Sequence, residues 1–248
     1  STADNTTQLS LISTDADGNV GPVLDLYRNS GSPVDNDLNG RILFSGENDN
    51  DEKVEYSRIS AYVGDASDGT EDGNLYIQRL VAGTQSSVLS FLNTETVVND
   101  GSLDLDFRVE SNGNANMLFV DGGNDKVLIS TNTPRTTFYD DSFGAQVQIE
   151  TLATTSNYIG LSIVANSNNT NGGLLALGST RGTAANATTV VQAGDTLGAL
   201  TFQGSDGTNM INGADMYAEV LSGVGANDMP TKLLFRTNSG TTAPVERM

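Results

Sequence analysis

The sequence predicts an all-β protein: two related β-sandwich or β-prism-like modules joined by a β-meander. Three observations carry this reading. First, Asp37-Leu38-Asn39-Gly40-Arg41-Ile42-Leu43-Phe44-Ser45-Gly46 returns 158 residues later as Asp195-Thr196-Leu197-Gly198-Ala199-Leu200-Thr201-Phe202-Gln203-Gly204. The shared pattern is D-x-x-G-x-(I/L)-x-F-x-G. It keeps turn residues and alternate apolar positions, which a duplicated strand unit has to keep. Second, Gly (27) and Asn (25) punctuate the whole chain, and both tolerate the positive φ of tight turns. Third, Gly/Pro-free stretches of helical length are few, so less than ~10% helix is expected against the usual third.

The first module, residues 1–95, reads as strands at about 8–13, 22–28, 41–45, 56–63, 74–81 and 87–92. Gly18-Asn19, Ser30-Gly31-Ser32-Pro33, Glu47–Asp51 and Asp72-Gly73-Asn74 bound them as turns. Residues 84–100 carry Val88, Leu89, Phe91, Leu92, Val97 and Val98, a spacing that also fits one short amphipathic helix. The connector, 96–150, opens on Leu103, Leu105, Phe107 and Val109 alternating with Asp104, Asp106, Arg108 and Glu110. That is the clearest half-buried strand in the chain. Met117–Val120 and Val127–Ile129 complete a meander around Asn112-Gly113 and Asp121–Asp125. Thr137-Phe138-Tyr139 and Ala145–Ile149 follow Pro134. The second module, 151–248, reads as Tyr158–Val164, Leu174–Gly178, Ala199–Phe202, Met216–Leu221 and Lys232–Thr237.

Charge narrows the partners. Twelve Lys+Arg face 31 Asp+Glu, a net charge of −19, so the chain lacks the basic footprint that nucleic acid or an anionic membrane requires. No run nears the ~18 apolar residues of a membrane helix, and Ser1–Thr7 has no signal-peptide pattern. Ser1 in place of an initiator Met suggests processing or a numbered fragment. Cys, His and Trp are absent. Disulfides, thiolate metal sites and Ser-His-Asp or Cys-His catalysis are therefore excluded.

The acidic clusters are the candidate metal ligands. Asp15, Asp17 and Asn19, Glu47–Glu52, Asp65–Asp72 and Asp121–Asp125 offer hard oxygen atoms for Ca2+. None matches the twelve-residue calcium loop, and the favoured reading is turns whose Asp and Asn side chains bond their own backbone. No catalytic or cofactor-binding residue is assigned. Paired carboxylates for sugar cleavage are available by abundance alone. Tyr27, Tyr56, Tyr62, Tyr76, Tyr139, Tyr158 and Tyr217 are the aromatics left to line a sugar site. Several fall within expected strands, where packing is their role. Asp121-Gly122-Gly123-Asn124 and Asn171-Gly172-Gly173 lack the Lys-Ser/Thr of a phosphate loop.

Most strands bring only two or three large apolar side chains. At ~25 cal/mol per Å2 of apolar surface, such a core barely offsets the ordering of long polar loops. Sharing a core among identical chains, most simply about a three-fold axis, relieves that deficit and covers the sheet edges.

The stretch Asp106-Phe107-Arg108-Val109-Glu110-Ser111-Asn112-Gly113-Asn114-Ala115-Asn116-Met117-Leu118-Phe119-Val120-Asp121 resembles segments of tailed-bacteriophage fibres, as do Gly204–Thr208 and the ending Asn238–Met248. The resemblance covers about half the chain and carries over no ligand residue. It implies an elongated homotrimer located on the virion, with other virion proteins as partners and a host-surface glycan or protein as a contact. The expected function is therefore structural and non-enzymatic. A secreted or surface-attached bacterial adhesin or filament subunit, joined through strand edges, is the alternative.

Overall fold

Apolar residues at every second position, broken by Gly, Asn and Asp turns, leave the chain nothing to build but sheets. The computed structural model describes residues 6–138, 144–150, 160–166, 168–240 and 244–246. Among them there are strands and no helix, so the all-β class is borne out. The chain divides into two compact units, Ser1–Leu105 and Asp106–Met248.

The first unit is one antiparallel sheet in chain order: β1 (Leu38–Glu47), β2 (Lys53–Asp65), β3 (Asp72–Val81), β4 (Thr84–Phe91) and β5 (Thr96–Val98). Asn48 shapes its first turn, accepting the Asn50 and Glu52 amides on its side-chain oxygen. Ala82 and Gly83, both with positive φ, form the two-residue β3–β4 hairpin, whose local twist suits antiparallel strands.

The second unit holds two sheets. In the meander, β6 (Phe107–Val109), β7 (Leu118–Asp121) and β8 (Lys126–Ile129) run antiparallel, and β9 (Val147–Ile149) lies parallel to β8. Buried Gln148 fixes β9. Its amide accepts from the Arg135 amide at 2.8 Å and donates to the Arg135 and Ala145 carbonyls. The other sheet has the order β10 (Thr196–Ser205), β11 (Met210–Val220), β12 (Thr231–Thr237), β13 (Val245–Glu246). A parallel bridge from Phe138 to Met210 ties the run after Pro134 to the start of β11.

β10–β11–β12 repeat β1–β2–β3 in register. Ile42 pairs with Ile59 and Ile59 with Ile77; Leu200 pairs with Met216 and Met216 with Phe235. Even the irregularities recur, at Leu38/Gly40 and Phe44/Ser45 in one copy and Thr196/Gly198 and Phe202/Gln203 in the other.

Three expectations need correction. The stretches 8–13 and 22–28, the described residues of Tyr158–Val164, and Leu174–Gly178 form no ladder. Residues 84–100 are β4 and β5 rather than a short helix, because Thr96, Val97 and Val98 are β-branched and gain more on a pleated sheet. The strand expected over Leu103–Val109 is halved. Asn99 takes both Leu103 main-chain groups, donating to its carbonyl at 2.7 Å and accepting its amide at 3.1 Å, so only Phe107–Val109 joins a sheet. The strand expected at Ala145–Ile149 is present as Val147–Ile149, parallel to β8. Among the described residues, no helix is long and apolar enough to cross a membrane.

Candidate assembly surface

A residue's place in a strand decides its face; in the two repeated sheets the apolar face is the open one, and in the meander one apolar face is open while Phe119 and Leu128 are buried on the other. In the first unit a continuous line, Ile42–Ile59–Ile77–Leu89–Val98, crosses five strands, yet Ile42, Ile77 and Val98 are exposed. Phe44, Leu75 and Phe91, on the same face, are exposed too. In the second sheet of this design Leu200, Phe202, Leu233 and Phe235 occupy the matching places and are 40–62% exposed. In the meander Phe107, Val109, Val120, Val147 and Ile149 form the open face.

In the two repeated sheets the opposite faces are closed by bonded polar side chains. Ser60 and Ser90 are fully buried. Gln78 accepts from Arg58 at 2.7 Å and from Ser60, and donates to Ser87. Tyr62 and Tyr76 meet edge to face at 5.5 Å. In the second copy Asp215 is buried, accepting two bonds from Arg236 at 2.7 and 2.6 Å and one from Asn212 at 2.9 Å. Arg236 lies over the Tyr217 ring at 4.3 Å, and Lys232 pairs with Glu219. The Arg236 bonds outweigh burial and hold the Asp215 carboxyl below its ordinary pKa.

The result is little sealed apolar interior. Among the described residues only Phe119, Leu128, Val191, Val220 and Leu234 are buried hydrophobics. The chain exposes 18219 Å2. Two separate compact bodies of half its mass would together expose about 12,700 Å2. The open apolar faces and the unladdered apolar stretches contribute to that surplus, together with the exposed polar loops.

The repeated Asp and Gly now have physical roles. Asp37 pairs with Arg28 at 2.9 Å and accepts the Val34 amide; Asp195 pairs with Arg181 at 2.7 Å and accepts the Gln192 amide. These bonds hold the Asp195 carboxyl down at about 2, Arg181 contributing most. The turn before each Asp has positive φ, at Asn36 and at Gly194. Three residues on, Gly40 and Gly198 leave room for a leucine. A Cβ on Gly40 would stand 3.1 Å from the Leu26 Cβ, and one on Gly198 2.6 Å from the Leu177 Cβ. Leu177, Gly198, Leu200, Met216 and Leu233 line a shallow apolar groove of about 270 Å3 on the open face. Sequence reasoning missed the Arg partner, although an arginine stands upstream of the repeated Asp in both copies.

The acidic clusters bond their own turns. Asp17 accepts the Asn19 amide, Asp65 the Ser67 amide, and Asp121 the Asn124 amide and side chain. Among the described residues no group of three acidic side chains converges on a point where a cation would sit. Tyr62, Tyr76 and Tyr217 pack on the polar faces, Tyr56 donates to the Glu47 carbonyl, and Tyr27 is exposed. Tyr139 and Tyr158 lie outside the described residues. A 720 Å3 cleft lined by Ser179, Thr180, Thr188, Thr189, Val191 and Met229, among others, has no charged or aromatic side chain in its wall.

No protein-family model matches the chain, and no curated protein matches it. Among solved structures, the carboxy-terminal domain of the bacteriophage T5 L-shaped tail fibre aligns over 97% of this chain and 86% of its own, with a TM-score of 0.34 and 13% identity. The same domain with its intra-molecular chaperone aligns over 97% of this chain and 59% of its own, with a TM-score of 0.37 and 14% identity. This chain thus spans less than two thirds of the second structure. Similarity at that level does not establish a shared layout.

Proposed function

We propose that this chain is a structural, non-enzymatic component of a virion fibre, a bacteriophage tail fibre, assembled as a homotrimer in which the open apolar faces of three copies meet. The observation that carries the self-assembly is the reversal of burial. The alternation that marks Ile42, Phe44, Leu200, Phe202, Phe107 and Val109 for an interior is left facing solvent by the lone chain. Closing such a face against copies of itself stabilises each large side chain by roughly 0.6–1.8 kcal/mol, the part of full burial still to be gained, and cyclic symmetry lets identical patches satisfy one another. The virion assignment rests on the sequence resemblance at Asp106–Asp121.

In this reading the chain has three parts, 1–95, 96–150 and 151–248, and sits outside the host cell on the particle. It joins other virion proteins and touches a host-surface glycan or protein. Weak sites repeated on three copies gain avidity through effective concentration.

Mass photometry with negative-stain microscopy of the purified chain tests this. Closed trimers are expected. Open-ended polymers would favour the bacterial filament or adhesin reading instead, and a monodisperse monomer would overturn self-assembly altogether.

A further inference from the structure

The apolar sheet faces leave one set of residues unaccounted for. Residues 9–13 and 20–27, and their counterparts 160–166 and 172–178, have strand-like patterns and no ladder. Leu9 and Leu11 flank Ser10, Leu24 and Leu26 flank Asp25, Leu161 and Ile163 flank Ser162, and Leu175 and Leu177 flank Ala176. Among the described residues, none in these four stretches exchanges a main-chain hydrogen bond with another main-chain group. The most exposed large apolar side chains among the described residues lie in them: Ile12 at 79%, Val20 at 82%, Leu174 at 79%.

Each arm is nevertheless anchored. Leu26 rests on Gly40 and Arg28 grips Asp37 and the Leu38 carbonyl. Leu177 rests on Gly198 and Arg181 grips Asp195. The arm is thus held over the apolar face of its own sheet rather than in line with β1 or β10. Both of those strands keep one unpaired edge.

We propose that these four stretches are the strands by which one copy of the chain hydrogen-bonds to a second copy, so that copies are interwoven through main-chain ladders as well as packed face to face. The inference rests on the self-assembly reading above. Strand addition satisfies the main chain through backbone bonds and places alternate side chains in the shared interior.

Three observations favour an identical copy as the occupant. The arrangement occurs twice in one chain, at equivalent places on a duplicated sheet. The surface in excess of two compact bodies, polar loops included, is on the order of 5,000 Å2, room for more than the ~800 Å2 per partner of a standard interface. Charge complementarity points the same way. The four stretches together contain one charged residue, Asp25, in a chain with 31 acidic residues. Two copies that each carry −19 meet with least repulsion along them.

Hydrogen–deuterium exchange on the assembled, full chain tests this. Amides of 20–27 and 172–178 are expected to exchange at least ~100-fold more slowly than unprotected coil, comparably with β2 and β11. An intact oligomer whose arm amides exchange at unprotected rates would overturn the interweaving and leave the assembly reading standing. A monomer would overturn both. Ala176→Pro, which removes a main-chain donor, is expected to raise the dissociation concentration at least ~10-fold while Ala176→Ser leaves it unchanged. Equal behaviour of the two variants would count against the ladder.

Discussion

The two copies of the repeated sheet have the same backbone and the same open face but solve their polar faces differently. Around Ser60 the first copy uses Gln78, Ser87 and the Tyr62–Tyr76 pair, with its charges nearer the margin, in the Arg58–Glu55 ion pair and in Asp100 bonded by Ser90. The second copy uses an ion network centred on buried Asp215, with Arg236, Asn212 and Tyr217 around it. What stays constant is the register, the two bulges and the apolar ladder. On the proposed self-assembly, duplication has preserved what another copy would fit and released what only needs its hydrogen bonds satisfied.

If that contrast holds, the open faces are where change should cost most. Ile42→Asp and Leu200→Asp are each expected to raise the concentration for half-assembly by at least ~100-fold, because a carboxylate is forced into a shared apolar interior. Mass photometry over a dilution series measures it. Leu43→Asp, one residue along on the other face, should change assembly little, and equal effects at 42 and 43 would break the assignment of faces.

The polar faces should separate by charge. Arg236→Ala leaves Asp215 buried with Asn212 and is expected to cost about 3 kcal/mol, whereas Gln78→Ala costs about 1–2 kcal/mol. Denaturant unfolding of each variant gives both values. The double change Arg236→Met with Asp215→Leu should recover most of the loss, since an apolar pair of similar volume avoids desolvation of charge. No recovery would mean that the network does more than satisfy itself.

The glycine seats should differ in degree. Gly198→Ala forces overlap with the Leu177 Cβ and is expected to cost about 1–3 kcal/mol, while Gly40→Ala meets Leu26 at a distance that a slight shift relieves and costs less. Thermal unfolding ranks them.

The smallest effect is that of pH. Asp65, Asp195, Asp206 and Asp215 have pKa values held below the ordinary carboxylate range, mainly by hydrogen bonds that favour the charged form. Their contribution is therefore complete above about pH 4, the unfolded value. It is lost as pH falls towards the folded values, about 2 for Asp195. Melting temperature should decline from pH 4 to pH 2, and Asp195→Asn should flatten part of that decline.

The D-x-x-G repeat, the three sheets and the scarcity of helix were legible because each rests on local chemistry. Asn and Gly make turns, and alternate apolar residues make faces. Residues 84–100 fitted a short helix as well as the strand read at 87–92 because Val88, Leu89, Phe91 and Leu92 suit both periods; the Ala82-Gly83 hairpin decides for the strand by returning β4 against β3. Leu103–Val109 misled because a side chain four residues upstream, Asn99, claims the Leu103 backbone. In the acidic clusters Asp17 and Asp65 bond their own turns, since an Asp oxygen reaches an amide two residues on without any tertiary contact.

By itself the sequence determined the class of fold, the duplicated unit and the shortage of interior, since period-2 patterning and composition are properties of the chain alone. Only the tertiary structure decided which face stays open, which arginine holds each repeated Asp, and which strand-patterned stretches are left without a ladder. Those depend on register, and one residue of register moves every side chain of a strand to the other side of its sheet.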